Sequence, residues 1–102
     1  MMEKIGLREL EKRMPSSTYV VLEFSSPGCA PCKAVSAEVE GLAAESTAVS
    51  LQAFEVNIAE EPEAARKYSV FGVPTVILFK EGKEVSRFTS TFRKEKLMKL
   101  LT

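Results

Sequence analysis

The run Tyr19-Val20-Val21-Leu22-Glu23-Phe24 constrains this chain more than any other stretch. It is apolar almost throughout and shows no polar alternation, so as a strand it must be covered on both faces, as in a sheet packed between helices. Its single charge, Glu23, is an anomaly in such a setting. The stretches around it supply the covering. Ile5, Leu10 and Met14, separated by charged residues, predict a short amphipathic helix over about 6–14, stopped by Pro15-Ser16-Ser17. Beyond the Ser25-Ser26-Pro27-Gly28 turn, Cys32, Val35, Val39 and Leu42 recur at helical spacing while Lys33, Glu38, Glu40 and Glu45 fall elsewhere, which predicts a helix over about 30–45.

The second half continues the alternation. Ala48 to Ile58 reads as a strand. Glu60-Glu61-Pro62-Glu63 followed by Arg66-Lys67-Tyr68 reads as a short helix, with acids first, bases last and proline in the first turn, the order its dipole favours. Thr75 to Phe79 is a third strand, Lys80-Glu81-Gly82-Lys83 a hairpin turn, and Glu84 to Thr89 an alternating fourth strand. A final helix over about 93–101 would bury Leu97, Leu100 and Leu101, and a short strand at about 2–5 is a further candidate. The order α-β-α-β-α-β-β-α predicts an α/β fold of three layers. A central mixed sheet of four to five strands is flanked by helices, parallel where helices cross over and antiparallel at the closing hairpin.

At 102 residues and 45% hydrophobic content the chain has material for one core, so residues 1–102 are expected to form a single domain. Lys and Arg number 14 and Asp and Glu also 14, interspersed, which leaves neither a basic stripe for nucleic acid nor a polybasic patch for a membrane. No window approaches the length of a membrane span, and the amino terminus lacks the apolar run of a secretory signal; a cytoplasmic location and a monomer are expected. The expected partners are proteins or small molecules.

Both cysteines lie in Pro27-Gly28-Cys29-Ala30-Pro31-Cys32-Lys33. A permanent staple is disfavoured in a reducing compartment, and so small a loop would constrain the unfolded chain little. A closed zinc site takes four ligands, and this chain offers one pair and no histidine, so carboxylates or a second subunit would have to complete it. Two cysteines packed as small apolar residues fit poorly with the turn-forming Pro27, Gly28 and Pro31. A reactive dithiol fits the placement. Cys29 stands at a helix entrance, where unpaired N–H groups and the helix dipole stabilise a thiolate. Cys32 lies on the apolar stripe, where burial opposes one. Cys29 is then expected to attack a disulfide and Cys32 to resolve the mixed disulfide.

Cys-x-x-Cys-Lys after a buried strand, Val73-Pro74-Thr75 about 40 residues later, and the Phe79-Lys80-Glu81-Gly82 turn together resemble the thioredoxin family. The similarity runs from about Val20 to the C-terminus, and Val56 to Thr75 aligns with typical thioredoxins without a gap. The resemblance implies a thioredoxin fold and thiol–disulfide oxidoreductase activity with no bound cofactor or metal. The redox group would be the Cys29–Cys32 disulfide itself. It also implies disulfide-containing protein substrates, and regeneration by a flavoprotein reductase resembling thioredoxin reductase, through which NADPH is used indirectly. It further implies a cis bond before Pro74, with Gly28, Ala30, Pro31, Val73 and Pro74 forming the substrate-binding surface. Glu23 matches the family's buried aspartate, which implies proton exchange with the resolving cysteine; the alternative is a side chain at a strand end reaching solvent.

The chain departs from the family pattern at several positions. Gly28 replaces the tryptophan that usually precedes the first cysteine, Ala30 a glycine, Ala37 a helix-kinking proline and Ser90 a glycine of the substrate groove. Glu55 stands where typical thioredoxins carry a lysine. If it turns inward it shares a site with Glu23 and at least one carboxyl pKa rises; if it turns outward the two are independent. Phe71 either replaces the missing tryptophan as an apolar contact or belongs to the core. These departures leave a second function open: a thioredoxin-fold module that binds partners with weak or vestigial redox turnover.

Overall fold

The computed structural model describes residues 2–101. Five strands, β1 (Glu3–Lys4), β2 (Tyr19–Ser25), β3 (Leu51–Asn57), β4 (Thr75–Lys80) and β5 (Lys83–Thr89), form one sheet in the order β1-β3-β2-β4-β5. The helices are α1 (Leu7–Arg13), α2 (Ala30–Glu45), α3 (Pro62–Lys67) and α4 (Lys94–Met98). β1 and β2 run parallel to β3, β4 runs antiparallel to β2, and β5 antiparallel to β4. This is the mixed sheet flanked by helices that the alternation predicts.

All seven residues of β2 are buried, because the strand is central and its two faces meet different helices. Val20, Leu22 and Phe24 point to one side, packing with Phe54, Ile77 and Phe79 beneath Leu10 of α1 and Ala64 of α3. Tyr19 and Val21 point to the other, with Val76 and Leu78, beneath Val35, Val39 and Leu42 of α2 and Leu97 of α4. Strand parity therefore sends Glu23 and Ser25 toward α2.

Several boundaries differ from the sequence expectation. Pro15 does not stop the first helix outright: α1 passes into a 3-10 turn over Met14–Ser16, whose first turn accommodates a proline that lacks an N–H. The strand expected over 48–58 begins only at Leu51. The last helix is shorter than 93–101, closing in turn bonds from Leu100 N–H to Leu97 O and from Leu101 N–H to Met98 O. Leu97 is fully buried there, whereas Leu100 is 39% exposed and contributes little to the core. The hairpin between β4 and β5 turns on Glu81 (φ 52°) and Gly82 (φ 83°), the pair of positive φ values that matches the twist of the flanking strands.

Candidate active site

The two cysteines are placed by the β2–α2 junction. Gly28 has φ 75°, a left-handed conformation that glycine adopts without strain, and it turns the chain out of β2. Cys29 follows as the residue capping α2, with extended backbone (φ −85°, ψ 98°), and Pro31 sits in the first turn. The Cys32 N–H donates to Cys29 Sγ at 3.2 Å, so the first sulfur occupies the acceptor position of a helix cap. Cys29 is half-buried, while Cys32 is 4% exposed and shares the inner stripe of α2 with Val35, Val39 and Leu42. The pair forms a disulfide across a Cα–Cα separation of 5.3 Å. Among the described residues no group of three or more Cys, Asp or Glu side chains is arranged to hold a metal ion, and no helix is long and apolar enough to cross a membrane.

Beneath α2 lies the anomalous charge. Glu23 is completely buried, so its side chain does not reach solvent from a strand end. Ser36 Oγ lies 2.7 Å from one carboxyl oxygen of Glu23 and 2.9 Å from the other. Ser36 is one helical turn beyond Cys32, on the same side of α2. Glu55 is the cross-strand neighbour of Glu23 in the parallel β2–β3 register. It is half-buried on the α2 side of the sheet, where its Oε2 accepts from Ser25 Oγ at 2.8 Å. Of the two orientations open from sequence, the structure thus takes the inward one, moderated by partial exposure. Burial, above all, pushes the Glu23 pKa from 4.5 to about 7; the Ser36 hydrogen bond opposes the rise, and the negative charges of Glu55 and Glu40 add to it.

The second half of the site comes from the turn before β4. The Val73–Pro74 bond is cis, and Thr75 Oγ1 donates to Gly72 O at 2.8 Å within this turn. Val73, Pro74, Phe71, Arg87 and Ser90 help to line a cleft of about 490 Å³. A neighbouring cleft of about 320 Å³ is lined by Pro31, Val35, Glu38, Arg93 and again Ser90. Ser90 is therefore a wall common to the turn that carries cis-Pro74 and the helix entrance that carries Pro31, and its N–H donates to Pro74 O at 3.2 Å. Ser90 has φ 73°, the left-handed conformation a glycine takes freely, so the departure from glycine here is a strained one. Phe71 is 96% exposed, which overturns the core alternative for it. Gly28 and Ala30 are both exposed, and a side chain built at Gly28 would meet nothing within 4 Å.

Ser36 and Ser25 are site residues that sequence reasoning missed. The available signal for Ser36 is its i+4 spacing from Cys32, which puts a hydroxyl on the inner face of an otherwise apolar stripe.

The family model described as Thioredoxin matches residues 6–102. A thioredoxin of Chlamydia trachomatis serovar D is 40% identical over 87 residues, covering 85% of this chain and 83% of that one. Among solved structures, a mutant thioredoxin from Halobacterium salinarum superposes with a TM-score of 0.86 at 26% identity, covering 97% of this chain and 85% of that one. Chloroplastic thioredoxin z superposes at 0.85 with 24% identity, over 97% of this chain and 89% of its own, a likeness of fold.

Proposed function

The chain belongs to the thioredoxin family, and from that premise we propose that it reduces disulfides of protein substrates, with Cys29 as the nucleophile and Cys32 as the resolving thiol. Family membership and a bonded cysteine pair support a thiol–disulfide oxidoreductase. The observation that carries the assignment of roles is the asymmetry at the start of α2. Cys29 Sγ accepts a main-chain N–H at the helix entrance, an environment that favours its thiolate, whereas Cys32 is buried among aliphatic side chains.

In this mechanism the Cys29 thiolate attacks one sulfur of a substrate disulfide. That S–S bond breaks, one substrate thiolate leaves, and a Cys29–substrate bond forms. Cys32 then attacks Cys29 Sγ and gives its proton to the Glu23 carboxylate; the second substrate thiolate departs and the Cys29–Cys32 bond closes. The substrate gains two electrons and the protein's dithiol loses them. An extended substrate segment would lie along Gly28, Ala30 and Pro31 on one side and Val73 and Pro74 on the other, with Phe71 as an apolar contact at the rim. A flavoprotein reductase drawing on NADPH would restore the dithiol, in a cytoplasmic setting.

The test is trapping. Cys32→Ser should accumulate mixed disulfides through Cys29, and Cys29→Ser should accumulate none; equal trapping by both variants would refute the order. Insulin reduction in the presence of dithiothreitol completes it, since a module that only binds partners shows no Cys29-dependent rate.

A further inference from the structure

We propose that Ser36 is a positioning residue for this reaction: from one turn beyond Cys32, its hydroxyl holds the Glu23 carboxyl in place through both protonation states. The inference rests on the reading above, in which Glu23 takes the Cys32 proton. Its basis is the double contact, 2.7 and 2.9 Å to the two carboxyl oxygens. A hydroxyl carries one donor and can also accept. Facing a carboxylate, it shares its proton between the two oxygens. Facing the neutral acid, it donates to the carbonyl oxygen and accepts from the O–H. Both contacts therefore survive the arrival and departure of a proton, which a lysine ammonium or a main-chain N–H, donors only, would not allow.

The surroundings make such a holder necessary. The charged groups that act on Glu23 are acids, Glu55 from β3 and Glu40 from α2, while β4 places apolar Val76 opposite it. Each of those acids has a partner elsewhere: Ser25 Oγ donates to Glu55, and the Met2 N–H donates to Glu40. Cys32, disulfide-bonded here, lies one helical turn before the hydroxyl and titrates only once the bond is reduced. Ser36 thus supplies the favourable contact to the carboxylate in a pocket whose other influences oppose it. A glutamate also has one more rotatable bond than an aspartate, so a carboxyl on this arm loses more freedom when fixed.

The experiment compares wild type, Ser36→Ala, Ser36→Thr and Glu23→Gln by two readouts. One is the infrared C=O band of the protonated Glu23 carboxyl in the oxidised protein, titrated between about pH 5 and 9. The other is the Cys29-dependent rate of insulin reduction over the same range. Ser36→Ala should move the midpoint of the band upward by about one pH unit, and below about pH 7 should slow the reaction up to about tenfold. Ser36→Thr should restore both, and Glu23→Gln should remove both the band and the pH limb. If Ser36→Ala leaves the midpoint and limb unchanged while Glu23→Gln abolishes the limb, the inference fails and the reading of Glu23 stands. A Thr variant that behaves like Ala assigns the effect to packing and also overturns the inference. If the limb persists in Glu23→Gln, the reading of Glu23 fails and takes the inference with it.

Discussion

Glu23→Gln should make the oxidised protein more stable at about pH 8 while leaving its stability at about pH 4 nearly unchanged. The folded-state pKa of Glu23 is raised from 4.5 to about 7, so the folded state binds this proton more tightly than the unfolded chain does. Stability from that bound proton is fully present below about pH 4.5 and is lost as pH rises through about 7. At about 1.36 kcal/mol per pH unit of difference, the loss amounts to at most about 3 kcal/mol. Gln is nearly the same size, keeps a partner for Ser36 and carries no charge to bury. Urea unfolding of both proteins at about pH 4, 6 and 8, with the disulfide kept intact, isolates the effect as a difference. Groups such as Glu84, whose carboxyl Arg87 holds below its ordinary value and which stabilises in the opposite pH direction, cancel between the two proteins. The variant's advantage should grow from about pH 4 to about pH 8, by up to about 3 kcal/mol. An advantage that stays constant across that range would refute the claim that Glu23 is buried with a raised pKa.

Two further perturbations probe the surface. Phe71→Ala should change stability by less than about 0.5 kcal/mol, since the ring is almost wholly exposed, yet should raise the KM for a disulfide-containing protein several-fold. An unchanged KM would remove Phe71 from the substrate surface. Gly28→Trp, which restores the usual family residue, should cost about 1–2 kcal/mol in urea unfolding because φ 75° disfavours any side chain, even though the space there is open. A variant as stable as the parent would show that the turn can be rebuilt without strain.

The parts of the fold legible in the sequence are those with a strong period. Cys32, Val35, Val39 and Leu42 predict the buried stripe of α2, and the unbroken apolar run of β2 predicts a central strand. The last helix is shorter than expected: Leu100 and Leu101 extend the apolar pattern in sequence, but of the three leucines only Leu97 is fully buried. Glu23 is visible as a charge in the wrong place, but its partner is not. Finding Ser36 requires knowing both which way β2 alternates and how α2 is rotated above it, and neither follows from one segment alone. Phe71 shows the converse: an aromatic residue beside a turn has no period, and nothing in its neighbours distinguishes core from surface. The cis bond at Pro74 is implied by the family resemblance, since an X-Pro bond by itself permits either isomer.

The parity of β2 also separates two kinds of evolutionary change. Glu23 and Glu55 lie beneath α2, with Ser36 on its inner face, whereas Phe71, Gly28 and Ser90 face outward. Under the proposed mechanism, substitution at the outer positions would alter which proteins dock while the interior acid keeps its protonation, and substitution at Ser36 or Glu55 would retune proton transfer while the docking surface stays as it was. On that reading, docking and proton transfer are set by separate faces of the molecule and can change independently.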